Sequence, residues 1–282
     1  MTSQIKTFFL LASLTAIILF LGGMMGGRTG LVIAFGLTIF MNVGSYWYSD
    51  KIVLKMYKAR QLSRNDAPQV YEMVEELSAN AGIPTPRLFL VDQDSPNAFA
   101  TGRNPENAVV AVTSGIMRIL TPEELRGVLA HEIGHITNHD ILIQSVAAVL
   151  AGAIMMVSSM LKWGTLFGFG SSDEDGPSPL VVIGLAIIAP IAATVIQMAI
   201  SRSREYLADA TGARISHSPK SLASALYKLD ALAHSIPMDA NPATENMFIV
   251  NPFSGASMSK WFSTHPSTED RIAKLMEMDR NF

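Results

Sequence analysis

Four stretches of the chain carry no charged residue and are each long enough to cross a lipid bilayer as a helix. They run from about Thr7 to Gly27, Gly30 to Tyr48, Ile141 to Leu161 and Pro179 to Ile200. A bilayer core takes about 20 apolar helical residues, and in lipid every backbone polar group must be satisfied within the segment. The spacing therefore predicts four transmembrane helices. Composition agrees, since 49% of the residues are hydrophobic and only 16% are charged, more apolar than a soluble domain of this length requires. The first stretch exceeds the apolar core of a secretory leader, and no A-x-A cleavage site follows it, so it is expected to stay as an anchor. The competing reading of the third and fourth, a buried helix pair of a large soluble protein, also suits Gly152, Gly184 and Pro190, but two further spans beside them weaken it.

Orientation follows from the basic residues that collect at span ends. Lys51, Lys55, Lys58, Arg60 and Arg64 follow the second stretch, and Arg202 and Arg204 follow the fourth. Asp173, Glu174 and Asp175 lie in the Gly/Ser/Pro-rich connector at about 162–178. Both termini are thus expected in the cytoplasm and that connector outside. The chain divides into two spans (1–48), a first cytoplasmic part (49–140), a helical hairpin (141–200) and a second cytoplasmic part (201–282), the two soluble parts folding together.

Within the soluble parts, Asp66 and Pro68 open an amphipathic helix that Gly82 closes. Short β-rich runs follow at Arg87 to Val91, Asn97 to Thr101 and Ala108 to Thr113, predicting a small sheet. Helices are expected from Ser218 and Pro219 to about Ala233 and from about Ser267. A net charge of -3 offers no basic surface for nucleic acid. With no cysteine in the chain, a thiol nucleophile, a disulfide framework and a Cys-based metal site are all excluded. Any metal must be held by histidine and carboxylate.

Residues 121–140 read TPEELRGVLAHEIGHITNHD. Thr121 as N-cap, Pro122 at the first helical position and Glu124 completing a capping box start a helix there. On it, His131 and His135 lie one turn apart on one face, spaced to bind a single zinc, and Glu132 is placed to take a proton from the attacking water. The motif is H-E-x-x-H in its required helical setting. His139 is about 12 Å along the axis from His131, too far to share the ion, and is assigned a solvated or supporting role. The metzincin pattern would need Gly at 138 and His at 141, where the chain has Asn138 and Ile141.

The third ligand is then a carboxylate on a second helix. SRSREYLAD (201–209) supplies it directly after the fourth span: Glu205 as ligand, with Asp209 one turn on to accept the free ring N–H of a ligating histidine. His135 stands six residues before the third span and Glu205 five after the fourth, helical rises of about 9 and 8 Å. Both ligand helices are expected to continue membrane helices, with the metal roughly 10 Å above the cytoplasmic surface.

HEIGH, two spans, then SRSREYLAD, all preceded by two N-terminal spans, resembles the HtpX family of bacterial membrane zinc metalloproteases and, more distantly, the CAAX prenyl proteases. The resemblance extends to Asn97-Ala-Phe-Ala-Thr-Gly102 upstream and to Thr264-His265-Pro266 with Arg271 downstream. It implies a mainly α membrane protein carrying a gluzincin-like α+β catalytic domain, one zinc per chain on the cytoplasmic side of the inner membrane, and quality control of misfolded or damaged membrane proteins. It further implies that Asn97, Ala98 and Phe99 belong to an edge strand that pairs with substrate, and that His265 and Arg271 touch the substrate or the scissile oxyanion. Two other functions compete. A transporter would need charged residues inside the spans, which are absent there; a zinc-binding scaffold without proteolysis would tolerate an altered Glu132, which is intact.

Overall fold

The first element, α1 (Ser3–Met56), is two helices joined where Gly26 and Gly27 leave helical geometry, Gly27 at φ 54°. We describe residues 3–152, 202–233, 235–236, 242–250 and 266–280 of a computed structural model. The chain turns back on itself at this pair. The Asn42 side-chain amide donates to Thr15 Oγ1 at 2.9 Å across the two arms, and a Cβ on Gly22 would meet the Gly30 carbonyl oxygen at 2.7 Å. Small residues thus let the arms touch through their backbones. The second arm, Gly26–Met56, is long and apolar enough to cross a membrane, and only 17% of its apolar window is buried. Val32, Ile33, Phe35 and Phe40 all face outward, as a lipid-facing helix requires and a core helix does not.

After α1 come β1 (Arg60–Gln61), α2 (Pro68–Ala81), β2 (Arg87–Val91), β3 (Ala98–Thr101) and β4 (Val109–Thr113). The four strands form one mixed sheet in the order β1-β2-β4-β3. β2 and β4 run parallel, and β1 and β3 pair antiparallel at the two edges. β1 is two residues long and carries no periodicity by which to find it. Gly82 closes α2 in the left-handed conformation, as the sequence suggests. Asp66 does not cap that helix: its carboxylate accepts from the Ser63 backbone N–H and hydroxyl in the preceding turn, and Ala67 stands at the N-cap without a side-chain bond.

The helices continue with α3 (Ser114–Ile119), α4 (Pro122–Thr137), α5 (Ile141–Gly152), α6 (Arg202–Ser216), α7 (Pro219–Ala233) and α8 (Thr268–Asp279). The capping box of α4 forms as its sequence dictates, the Thr121 N–H donating to Glu124 and the Glu124 N–H to Thr121 Oγ1. α4 lies at the centre, packed against α6, α7, α2 and β3. It meets α6 closely because Gly134 and Gly212 sit at the crossing. A Cβ on Gly134 would come within 2.8 Å of the Ala208 carbonyl oxygen, and one on Gly212 within 2.9 Å of the His131 nitrogen.

α4 does not continue into the third apolar stretch. Its end is a Schellman motif in which His139 N–H bonds the Ile136 carbonyl and Asp140 N–H the His135 carbonyl, with His139 in the left-handed region at φ 58°. A new helix, α5, starts at Ile141. This corrects the expectation of one continuous rod, because the left-handed His139 and the bonds that close the motif end the helical hydrogen-bond ladder there. α5 packs Ile143, Val146 and Leu150 on Leu14 of the first arm. The rest of the third stretch, the connector with Asp173, Glu174 and Asp175, and the whole fourth stretch lie outside the described residues. One membrane-crossing helix is therefore described, against the four expected.

Candidate metal centre

α4 and α6 are held close enough for side chains of both to meet at one point. Nε2 of His135 lies 3.2 Å from Nε2 of His131. Glu205 places Oε1 3.5 Å from the first and Oε2 3.6 Å from the second. The three ligand atoms lie within 4.8 Å of one another and all three residues are buried. A tetrahedral ion with bonds of about 2.0–2.1 Å sets its ligand atoms about 3.3 Å apart, so this spacing fits a zinc-sized ion. The donor chemistry fits as well, because a carboxylate stands beside the other ring nitrogen of each histidine, in bonding distance of His131 and close to His135 without a hydrogen bond. His131 Nδ1 lies 2.9 Å from Asp209 Oδ1, and His135 Nδ1 lies 3.5 Å from Asp140 Oδ2. Such partners leave Nε2 as the lone-pair donor of each ring.

The surrounding charge favours a cation. Burial works against a charged His135, but Glu205, Asp140 and Glu132 outweigh it and raise its pKa to about 9. His131 is held below its ordinary value, first by burial and then by Arg271 beside it. Three carboxylates around one point thus hold a positive charge there, the role a divalent ion fills. Glu132 is 1% exposed. Burial raises its pKa to about 7, with His135 pulling down, Glu205 pushing up and the Ala100 backbone N–H donating to it.

That N–H belongs to the edge strand β3. Thr113 N–H donates to the Asn97 carbonyl and Phe99 stands opposite Ala111, so Asn97, Phe99 and Thr101 turn their backbone groups toward β4. Ala98 and Ala100, by alternation, turn theirs toward the open edge. The Asn97 side chain folds along this edge, its Nδ2 donating to the Val250 carbonyl and its Oδ1 accepting from the Ala98 N–H at 3.1 Å, while Phe99 is enclosed by Tyr57 and Phe248.

Arg271, from α8, is buried and committed to protein partners. Its Nε and Nη2 bond both oxygens of Asp209 at 2.9 and 2.7 Å, and Nη1 bonds the Ile249 carbonyl at 3.0 Å. Burial raises the Asp209 carboxyl, but Arg271 and His131 outweigh it and hold it below the usual range. Arg271 thus braces Asp209, and through it His131. His139 is exposed on its turn, and His265 lies outside the described residues. Sequence reasoning passed over Asp140, whose only signal was an acidic residue just past the helix end.

A buried His, His, Glu cluster with a carboxylate beside the first histidine and a sheet edge alongside, in a chain with a membrane-crossing helix, defines a membrane-bound metalloprotease. The chain belongs to peptidase family M48, whose sequence profile matches residues 64–279, and within it to the HtpX proteases. It is 59% identical to a protease HtpX homolog of Syntrophobacter fumaroxidans over 99% of this chain and all of that one. It is 53% identical to one of Pyrococcus furiosus over 97% of this chain and 95% of that one. A crystal structure of S. mikatae Ste24p shares the fold, at a TM-score of 0.52 and 19% identity, over 96% of this chain and 65% of that one.

Proposed function

We propose that the chain is a multi-pass inner-membrane endopeptidase that binds one zinc ion through His131, His135 and Glu205 and cleaves misfolded or damaged membrane proteins on the cytoplasmic side. The meeting of these three ligand atoms beside a buried Glu132 carries this reading. In it, residues 49–140, between the two pairs of spans, and 201–282, after the second pair, form one catalytic unit.

Bound zinc supplies Lewis-acid polarisation of water and of the scissile carbonyl. The chain's own groups do the rest. Glu132 accepts the attacking water's proton and returns it to the leaving amine. Asp209 and Asp140 fix the ring orientations of His131 and His135. The outward carbonyls of Ala98 and Ala100, with their N–H groups once these leave Asn97 Oδ1 and Glu132, take an extended substrate as an added strand, which positions its carbonyl near Glu132.

The test is zinc content and cleavage of an unfolded protein by detergent-purified enzyme. Wild type should hold one zinc and cleave. Glu132→Gln should keep the zinc while activity falls by about 10²–10⁴, and Glu205→Ala should lose the metal. Zinc binding by a wild type that cleaves no protein would instead favour a scaffold.

A further inference from the structure

The strand that faces Glu132 is held at its far end by the first turns of α5. Ser145, fully buried, uses its whole hydrogen-bonding capacity there. Its hydroxyl lies 2.8 Å from Thr101 Oγ1 and 3.4 Å from the Gly102 backbone nitrogen, and it donates to the Ile141 carbonyl at 2.6 Å. With that donor spent, the oxygen accepts from the Thr101 hydroxyl and the Gly102 N–H. Gly102 itself is locked at φ 137°, where a Cβ would meet the Asn107 carbonyl oxygen at 2.6 Å. One residue further on, the Arg103 guanidinium lies 4.5 Å from the ring centre of Trp47 in the membrane-crossing arm of α1.

The same stretch also touches the metal centre, since Asp140, immediately before α5, faces the His135 ring. A few residues at the start of one apolar helix therefore contact both the histidine and the end of the strand.

We propose that Ser145 is a positioning residue for substrate. It pins Thr101 and Gly102, and so keeps the Ala100 peptide aligned with Glu132 and the outer edge of β3 straight enough to accept a second strand. The proposal rests on the reading that substrate pairs with β3. Ser145 touches neither substrate nor reacting atoms, so its effect is on substrates long enough to lie along the strand.

The experiment compares kcat and KM for a peptide series of increasing length with metal content, in wild type, Ser145→Ala, Thr101→Val and Thr101→Ser. In wild type, kcat/KM should rise with length; a flat series would overturn strand pairing itself. Given a rising series, Ser145→Ala and Thr101→Val should raise KM for the longest peptides about three- to tenfold, the range one hydrogen bond spans. The shortest peptides and the zinc content should change less than twofold. Thr101→Ser should recover most of what Thr101→Val loses. If Ser145→Ala does not fold, the Thr101 pair carries the comparison. Equal losses at every length, or loss of metal in step with activity, would reduce Ser145 to a packing residue and overturn the proposal.

Discussion

At the scale of single residues, the two histidines are tethered unequally. His131 has Asp209 at 2.9 Å, itself held by Nε and Nη2 of Arg271, whereas His135 has Asp140 at 3.5 Å. Loss of a carboxylate partner behind a metal-bound histidine weakens metal affinity by about 10–100-fold. Asp209→Asn should fall at the upper end of that range, because it also removes the closest counter-charge of buried Arg271 and leaves it only Glu205 at 3.7 Å, and Asp140→Asn at the lower end. Competition with a chelator measures both. The pairing of His131 with His135 was legible in the sequence because spacing on one helix is local geometry, and the meeting with Glu205 because a second charged motif follows the fourth apolar stretch. Asp140 and Ser145 were not, since their partners are fixed by how α5 docks on the sheet and on α4. Arg271 was legible only through family resemblance, and its bracing of Asp209 depends on where α8 packs.

Elements set the distance between the ligands. α4 and α6 approach through Gly134 and Gly212, so Gly212→Ala must move the α4 backbone, not merely a side-chain tip. We expect a loss of about 1–3 kcal/mol together with lowered zinc content, read by thermal unfolding and metal analysis. The start of α4 tests the capping box. Burial pushes the Glu124 carboxyl up, but Lys228, the Thr121 N–H and the Ser224 hydroxyl outweigh it and leave its pKa below the ordinary 4.5. A depressed carboxylate contributes stability that is present above its unfolded value and lost as pH falls through the folded one. Glu124→Gln should therefore cost about 1 kcal/mol at neutral pH, and the cost should shrink as the pH drops below about 4. Melting temperatures across that window decide it. The α4 start was readable because a capping box is written within four residues. Its end was misread because nothing local distinguishes a left-handed histidine from another helical one.

For the molecule as a whole, the basic residues beyond Tyr48 and beyond Ile200 predict that both soluble parts lie on one side of the membrane. The absence of cysteine makes this directly measurable. A thiol introduced by Arg118→Cys should react with an impermeant reagent only from the cytoplasmic face, and one introduced by Glu174→Cys only from the outer face. The reverse pattern would overturn the assignment. The apolar stretches were legible because hydropathy needs no tertiary context, while the sheet order and the docking of α8 depend on contacts far apart in the chain. One consequence concerns how such an enzyme is made. The proposed metal ligands come from either side of residues 138–201, and the brace on His131 comes from Arg271 in α8. A ribosome still translating has exposed HEIGH long before Glu205 exists and longer before Arg271 can dock. On the proposed ligand set, the chain cannot complete its metal site before Glu205 has been made, nor brace His131 before Arg271 has.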